Sequence, residues 1–284
     1  MMWDNDYFYI AAEIRESSVW ATVAERDGPI YQDNDFELFI DPDGDSHEYF
    51  EIGINAFGTV RDVFMVKPYR DGGPAVTSWD IKGLKSAVSV DGTINDPENR
   101  DRGWTVEMAI PWEVLGESAH KKVPPDEGDI WTVNLSRVEH NVKVDNGRYV
   151  KATDSETGRP RPERLWVWSA QGIANMHYPE MWGLVKFSNM TRFIGADSFK
   201  PGPDEEARWL LRRIYYRERE HFLKYGAYTS DLSILKIDRI EIFSYIWPPV
   251  IFITPYGFEA EIGTEDAQTT LTITADGRLT LYEQ

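Results

Sequence analysis

The sequence predicts a mainly β protein, with an antiparallel β-sandwich over residues 1–194 and a small α+β unit over residues 195–284. Three observations support this prediction. Apolar and polar residues alternate with period two in most segments between residues 7 and 188. Clusters of turn-forming residues separate these segments at the short spacing that is typical of sandwiches and barrels. After Phe199, a Pro/Gly linker and acidic residues lead into apolar residues at helical spacing.

Nine strands are predicted in the sandwich region from these alternating segments. They are Tyr7–Glu16, Asp35–Asp41, Tyr49–Asn55, Val60–Val66, Leu84–Val90, Trp104–Ile110, Ile130–Val138, Leu165–Ser169 and Gly183–Ser188. Pro111 ends the sixth strand, and WEVLGE predicts a short helical turn after it. Residues 142–163 are rich in Lys, Asp, Gly, Arg and Pro, which favours a long exposed loop.

The most informative part is the predicted hairpin in residues 31–55, YQDNDFELFIDPDGDSHEYFEIGIN. Both of its strands alternate with period two, and the connection contains Asp-Gly, a strong hairpin signal. One face therefore enters a core, while the other presents Glu37, Glu51 and Asn55 side by side. Tyr31 lies at the entrance to this polar face. Polar side chains on a rigid sheet beside an aromatic ring are an arrangement that suits a sugar.

In the C-terminal unit, KPGPDEEA predicts the start of a helix, and Gly226 is its predicted C-terminal stop. A second short helical stretch is predicted near Leu232–Leu235. Strands are then predicted around Ile240–Ile246, Val250–Thr254 and Phe258–Ile262, followed by a hairpin of Leu271–Thr274 and Arg278–Tyr282 that turns at Asp276–Gly277. The boundary between the two units is predicted near residue 195.

Composition excludes several classes of function. The formal net charge is −18, which argues against nucleic acid and anionic membrane surfaces as partners. No cysteine is present, so thiol chemistry and Cys-type metal sites are excluded. No run of about 18 apolar residues exists, so no membrane insertion is predicted. The first residues, MMWDNDYFYIAAEI, enter a predicted strand at once, with no signal peptide before them.

Six blocks follow one another in a specific order. They are WDNDYFYIAAEI, QDNDFELFIDPDGD, YFEIGINAFGTV, GWTVEMAIPWEVL, DIWTVNLSRVE and MHYPEMWGLVKFS. This series, over residues 3–188, resembles the family 9 carbohydrate-binding modules. The resemblance implies a DOMON-like β-sandwich, here without its usual opening strand. It also implies a non-catalytic, extracellular or periplasmic module with structural calcium that binds glucan- or xylan-type poly- or oligosaccharide during carbohydrate catabolism.

The resemblance also assigns binding residues. In the best-understood members two Trp rings hold a sugar, and Tyr31 occupies the position of the first ring, just before the strand that ends in FID. The second position holds Met176, with His177 and Tyr178 next to it, so a clamp of two Trp rings is not expected. Glu37 matches a carboxylate that the family carries on this strand. Glu51 stands where the sugar-binding members carry an Arg.

Further predicted contacts lie in loops at the rim of the sandwich, namely Arg70, Trp79 and Asn175. Trp79 is part of GGPAVTSWDIKG, and this Gly/Pro-rich composition favours surface exposure. The alternative is that the Trp79 ring folds back over the sandwich. Four other tryptophans are assigned to the core because they lie within or beside predicted strands: Trp104, Trp112, Trp131 and Trp182.

Calcium is considered at DPDGD, where Asp41, Asp43 and Asp45 alternate. An EF-hand loop needs Gly at its sixth position and Glu at its twelfth. Here Gly44 is fourth and Glu51 is eleventh, so an EF-hand is rejected. A plain hairpin turn explains the same residues. Calcium at this turn therefore depends on the resemblance alone.

Three alternative functions stay open at this stage. Glu37 and Glu51 could form a hydrolytic pair, although such a pair must lie across a cleft at a defined separation. Residues 205–284 are similar to the globular part of type IV pilin-like proteins, which favours an envelope or assembly protein with an envelope protein partner and no sugar binding. Some DOMON-like domains hold haem between Met and His or Lys, and the candidates here are Met65, Met108, Met176 and His177.

Overall fold

The structure, a computed structural model, describes residues 1–189 and 202–283. The chain divides into two compact units, Met1–Asn189 and Met190–Gln284. The boundary predicted near residue 195 falls among residues 190–201, which lie outside the described residues.

The N-terminal unit is built from strands joined by turns. The strands are β1 (Met2–Trp3), β2 (Tyr7–Arg15), β3 (Asp35–Asp41), β4 (Tyr49–Asn55), β5 (Val60–Met65), β6 (Ala75–Val76), β7 (Lys85–Asp91), β8 (Gly103–Pro111), β9 (Ile130–Glu139), β10 (Val142–Asp145), β11 (Arg148–Lys151), β12 (Arg164–Val167) and β13 (Gly183–Lys186). WEVL forms the predicted helical turn, α1 (Trp112–Leu115). Short 3-10 turns cover Ile30–Gln32, Tyr69–Asp71 and Pro179–Met181.

Two antiparallel sheets form the layers of the sandwich, as predicted. The smaller sheet has the strand order β1-β2-β8-β7, and the larger sheet has the order β12-β9-β3-β4-β5-β6, with β13 also paired to β9. Apolar side chains from both sheets pack together between the layers. The predicted core positions of Trp104, Trp112 and Trp131 are confirmed, because all three side chains are buried in this core.

The larger sheet also carries an apolar cluster on its outer face. Phe39, Tyr49, Val63 and Met65 project from β3, β4 and β5 and pack against the buried ring of Trp182. Because the core lies on the opposite face, this cluster holds the segment before β13 against the outside of the sheet. The uncovered remainder of the outer face carries the polar residues described below.

One predicted loop is a hairpin. β10 and β11, which lie within residues 142–163, pair as an antiparallel hairpin that is separate from both sheets. The turn residues Asn146 and Gly147 have φ values of 49° and 72°. Asn-Gly is the preferred dipeptide of such a two-residue turn. The prediction of a loop was wrong because the Asn-Gly turn lets the charged segments on either side pair as strands.

The C-terminal unit contains one long helix and an antiparallel meander, as predicted. They are α2 (Pro203–Tyr225) and the strands β14 (Val250–Thr254), β15 (Gly257–Gly263), β16 (Thr269–Thr274) and β17 (Leu279–Glu283), which pair in sequence order. Gly226 ends the helix in the left-handed conformation, with φ of 73°. Among the described residues, no helix is both long and apolar enough to span a membrane.

Two predictions in the C-terminal unit were wrong. Leu232–Leu235 forms a turn rather than a helix, and 240–246 contains only an isolated bridge between Tyr245 and Thr264. Leu235, Ile242 and Tyr245 are nevertheless buried in the core of this unit. The apolar residues that predicted a helix and a strand here are therefore buried in the core as part of an irregular segment.

Candidate functional site

The registers of four neighbouring strands place a row of side chains on the outer face of the larger sheet. Ser136 of β9 lies opposite Glu37 of β3, which lies opposite Gly53 of β4, which lies opposite Arg61 of β5. Glu51 is two residues before Gly53 and is therefore the diagonal neighbour of Glu37. This row forms the floor of the candidate site.

Gly53 makes room for the turn that carries Tyr31. A Cβ atom on Gly53 would lie 2.7 Å from Cδ1 of Ile30, whose side chain is buried against the sheet at this point. The 3-10 turn Ile30–Gln32 can therefore approach the sheet closely. Tyr31 follows Ile30 and is 50% exposed, and the guanidinium carbon of Arg61 lies 5.7 Å from the centre of its ring.

An ion pair occupies the centre of the site. Nη1 of Arg61 donates a hydrogen bond of 2.6 Å to Oε1 of Glu51, and both side chains are largely buried. The imidazole Nε2 of His177 lies 3.7 Å from Oε2 of Glu51. Screening by water is weak at such a position, so the two charged groups depend on each other.

Glu37 has an unusual protonation equilibrium. The hydroxyl of Ser136 donates a hydrogen bond to Oε2 of Glu37. Burial, with a smaller contribution from the nearby charge of Glu51, raises the pKa of Glu37 to about 7, against the opposing effects of Ser136 and Arg61. Near neutral pH the carboxyl group therefore exists in both forms, so it can donate or accept a hydrogen bond.

A second half-exposed ring, that of Tyr69, is connected to the ion pair through His177. Tyr69 is 52% exposed, and its ring centre lies 4.6 Å from that of His177 in an edge-on contact. Burial raises the pKa of Tyr69, and the charge of Glu51 and the phenol of Tyr31 add to this effect while Arg61 opposes it. Tyr31, Arg61 and Glu51 thus all lie close enough to Tyr69 to affect its protonation.

His177 is part of the wall of the site. Its Nδ1 lies 2.9 Å from the hydroxyl oxygen of Tyr49. Burial lowers the pKa of His177, and Arg61 and Arg70 lower it further, whereas Glu51 raises it. The ring is therefore neutral at pH 7, which suits it to hydrogen bonding rather than to charge pairing.

Arg70, Asn175, Met176 and Tyr178, which were also predicted to contact a ligand, make contacts within the protein around His177. Arg70 donates a hydrogen bond of 3.0 Å to the carbonyl oxygen of His177, and its guanidinium carbon lies 4.3 Å from the ring centre of Tyr178. Met176 packs against the outer apolar cluster. Asn175 is exposed, and its Oδ1 accepts a hydrogen bond from the backbone N–H of His177. Arg70 and Met176 thus hold His177 in place.

Two predicted contacts lie elsewhere, which corrects the prediction that they face a ligand. Asn55 is fully buried, and its Nδ2 donates to the carbonyl oxygen of Val23 and to Oδ2 of Asp33. Trp79 packs on Phe50, with ring centres 5.1 Å apart, on the core face of the sheet. Asn55 therefore stabilises the interior of the unit. The Trp79 ring folds back over the sandwich, which is the alternative predicted from the sequence.

The acidic turn after β3 is the predicted position of a calcium site. Asp41 accepts hydrogen bonds from the backbone N–H groups of Gly44 and Ser46, so its carboxylate closes the turn itself. Asp43 and Asp45 offer ligand atoms within 4.8 Å of one another and of a ring nitrogen of His120, which already pairs with Asp43. Calcium prefers six to eight oxygen ligands. The carboxylates of Asp43 and Asp45 would supply only part of that set, so calcium at this turn stays a prediction.

The methionines considered for haem are packing residues. Met65 and Met176 belong to the outer apolar cluster, and Met108 is buried in the core between the sheets. Filling irregular gaps in apolar cores is the usual role of Met. None of these contacts favours haem binding.

Protonation of Glu37 predicts a pH dependence of stability. Its pKa of about 7 in the folded protein exceeds the ordinary value of 4.5, so the folded state binds the proton more tightly. The resulting stabilisation is complete below pH 4.5 and is lost as the pH rises through about 7. Between pH 5 and pH 8, we expect the unfolding free energy of the wild type to fall by about 1–3 kcal/mol more than that of Glu37→Gln.

Urea denaturation at pH 5, 6, 7 and 8 measures this difference between the wild type and Glu37→Gln. Glu107→Gln, which changes an exposed carboxylate on β8, is the matched control and should keep the wild-type slope. Other buried carboxyl groups contribute to the wild-type slope, so the comparison uses the difference between variants. An unchanged slope in Glu37→Gln would contradict the assignment.

Comparison with known proteins addresses the N-terminal unit. Residues 1–189 match the family model described as carbohydrate family 9 binding domain-like. No match is found among curated proteins. Among solved structures, the chain is similar to a candidate carbohydrate-binding protein from Bacteroides uniformis, with 18% identity over 65% of this chain and 74% of that chain and a TM-score of 0.44. At this identity and score the likeness carries no functional argument.

Proposed function

The chain belongs to the family of carbohydrate family 9 binding domain-like proteins, and we propose that its sandwich is a non-catalytic module that binds glucan- or xylan-type poly- or oligosaccharide. The observation that carries this proposal is the arrangement on the outer face of the larger sheet. Tyr31 lies beside Arg61, Tyr69 lies beside His177, and the buried Arg61–Glu51 pair lies between these two contacts.

The chemistry of these groups matches that of a pyranose ring. Each face of the sugar exposes C–H groups that pack on aromatic rings, while its hydroxyl groups need fixed donors and acceptors. Half-exposed Tyr rings offer apolar area together with a polar tip. Arg61 offers N–H donors, and Glu37 and Glu51 offer carboxyl oxygens held by protein contacts. Such convergence of a few polar groups beside aromatic surface is typical of ligand sites.

Tyr69 compensates in part for the missing second Trp. Met176 stands at the sequence position of the second ring, and its side chain packs inward against the outer apolar cluster. Tyr69 instead places an aromatic ring against His177, the residue next to Met176. A Tyr ring buries less area than a Trp ring. We therefore propose a module of lower affinity than one with two Trp rings.

The carboxyl groups of the site support binding better than hydrolysis. Glu37 and Glu51 are diagonal neighbours on one sheet face, whereas a glycosidase places its two carboxyl groups on either side of the scissile bond. Glu51 is also neutralised by Arg61. Family membership further supports the proposal that the module acts in carbohydrate catabolism, in an extracellular or periplasmic location.

Calorimetric titration with cello- and xylo-oligosaccharides tests the proposal. We expect binding to the wild type and about five- to thirtyfold weaker binding to Tyr69→Ala, because each ring contributes about 1–2 kcal/mol of contact free energy. Tyr256→Ala, which removes a 97% exposed Tyr from the C-terminal unit, is the matched control and should bind as the wild type does. No heat with any oligosaccharide, or equal binding by Tyr69→Ala, would overturn the proposal.

A further inference from the structure

A cleft of about 630 Å³ lies where β2 approaches β9 and β12. It is separate from the site around Tyr31, because it faces the opposite side of the larger sheet. Trp166 of β12 pairs with Arg137 of β9, and Arg137 alternates with Ser136, whose side chain contacts Glu37 on the outer face. Trp166 and Arg137 therefore point to the inner side, where the layers of the sandwich separate.

Two exposed indole rings line this cleft. Trp166 is 57% exposed and Trp168 is 53% exposed, whereas Trp104, Trp112, Trp131 and Trp182 are each at most 5% exposed. Nε1 of Trp166 donates a hydrogen bond of 3.2 Å to Oε2 of Glu139, which restrains the ring. Adjacent exposed Trp rings in a concave surface mark an interaction site.

The cleft carries three guanidinium groups together with the carboxyl groups of Glu13 and Glu139, in a protein whose formal charge is −18. Arg15, Arg137 and Arg164 line it, and neither Arg15 nor Arg164 forms an ion pair with any residue in the described parts of the chain. Arg137 already pairs through Nη2 with Glu16 and Glu139, whereas its buried Nε has no hydrogen-bond partner within residues 1–189 or 202–283. Guanidinium groups match carboxylates in both charge and geometry.

We propose that this cleft is a second glycan site, which takes an oligosaccharide that carries carboxylate groups, as uronate sugars do. The ligand class rests on the proposed function, since both sites assign glycan binding to the sandwich, but the two surfaces are independent. The Trp rings pack on sugar faces, and the guanidinium groups of Arg15 and Arg164 bind the carboxylates. A volume of about 630 Å³ falls within the range of small-ligand sites, about 300–1,000 Å³, and is large enough for several sugar units.

The test is calorimetric titration of the full chain with two probes, trigalacturonate and the neutral xylotetraose. We expect trigalacturonate to bind at one site, with at least tenfold weaker binding in Trp166→Ala and in Arg164→Gln. The same affinity should fall as salt rises from 0.05 to 0.5 M, because screening weakens charge pairing at exposed groups. Tyr69→Ala and Trp209→Ala, the latter a 40% exposed Trp of the C-terminal unit, should leave trigalacturonate binding unchanged.

Each other outcome overturns the proposal in a distinguishable way. Xylotetraose binding without trigalacturonate binding would remove the second site and leave the proposed function intact. Loss of trigalacturonate binding in Tyr69→Ala but not in Trp166→Ala would place the ligand on the outer face. Xylotetraose binding that depends on Trp166 and equals that of trigalacturonate would remove the role of the carboxylates. Dimerisation that Trp166→Ala abolishes, without glycan binding, would make the cleft a docking surface for a second copy.

Discussion

Arg61→Ala is expected to lower the free energy of unfolding by about 3 kcal/mol and to abolish measurable oligosaccharide binding at millimolar concentration. The guanidinium group holds Glu51 through a 2.6 Å hydrogen bond at a position where both side chains are largely buried. Without it, the charge of Glu51 stays buried beside Glu37, and no other cationic group among the described residues lies at hydrogen-bonding distance. The pKa of Glu37 should rise further, because Arg61 now lowers it.

Urea denaturation at pH 7 and calorimetric titration measure the two effects of Arg61→Ala. The double variant Arg61→Ala/Glu51→Gln separates them, because it removes the buried charge together with its partner. We expect the double variant to recover most of the stability and none of the binding. A change below about 0.5 kcal/mol in the single variant would show that the ion pair is not desolvated, contrary to the structure.

Asp33→Ala is expected to destabilise the sandwich by about 3–4 kcal/mol. The fully buried Asp33 carboxylate accepts hydrogen bonds from the backbone N–H groups of Thr22 and Val23, at 2.8 Å each. It also accepts hydrogen bonds from the Thr22 hydroxyl and from Nδ2 of Asn55. Truncation would leave the buried Nδ2 of Asn55 and the part-buried donors of Thr22 and Val23 without this acceptor. The same bonds fix the ends of the segment that carries Tyr31.

Thermal and urea denaturation measure the loss in Asp33→Ala, and hydrogen exchange locates it. We expect the backbone amides of Thr22 and Val23 to exchange much faster than in the wild type, with little change in the C-terminal unit. Glu25→Ala, at an exposed carboxylate in the same segment, is the control and should stay within about 0.5 kcal/mol of the wild type. A loss below about 1 kcal/mol in Asp33→Ala would contradict the bracing role.

Sequence alone predicted the parts of the fold that depend on local pattern. The alternation around Glu37 and Glu51 correctly predicted the β3–β4 hairpin and its two faces, because a strand exposes successive side chains on opposite sides. The same pattern failed at Asn55. At that end of β4 the residues around Val23 and Asp33 cover the outer face, and only the three-dimensional structure shows this cover.

Arg61 and Tyr69 were missed for physical reasons. The alternation of β5 is obscured by Asp62, a buried carboxylate on the core side that accepts a hydrogen bond from the backbone N–H of Ile81. Tyr69 lies in a short turn, and its approach to His177 joins positions more than 100 residues apart in the sequence. Contacts of this kind depend on how loops fold over a sheet. The alternation of apolar and polar residues along the sequence gives no information about that.

A crystal structure of the protein grown with cellotetraose or xylotetraose would locate the sugar site directly. We expect ordered sugar density on the outer face of the larger sheet, packed on the rings of Tyr31 and Tyr69, with a hydroxyl group within hydrogen-bonding distance of Arg61 or Glu37. Sugar density elsewhere on the sandwich, with the Tyr31 and Tyr69 rings free, would contradict this expectation.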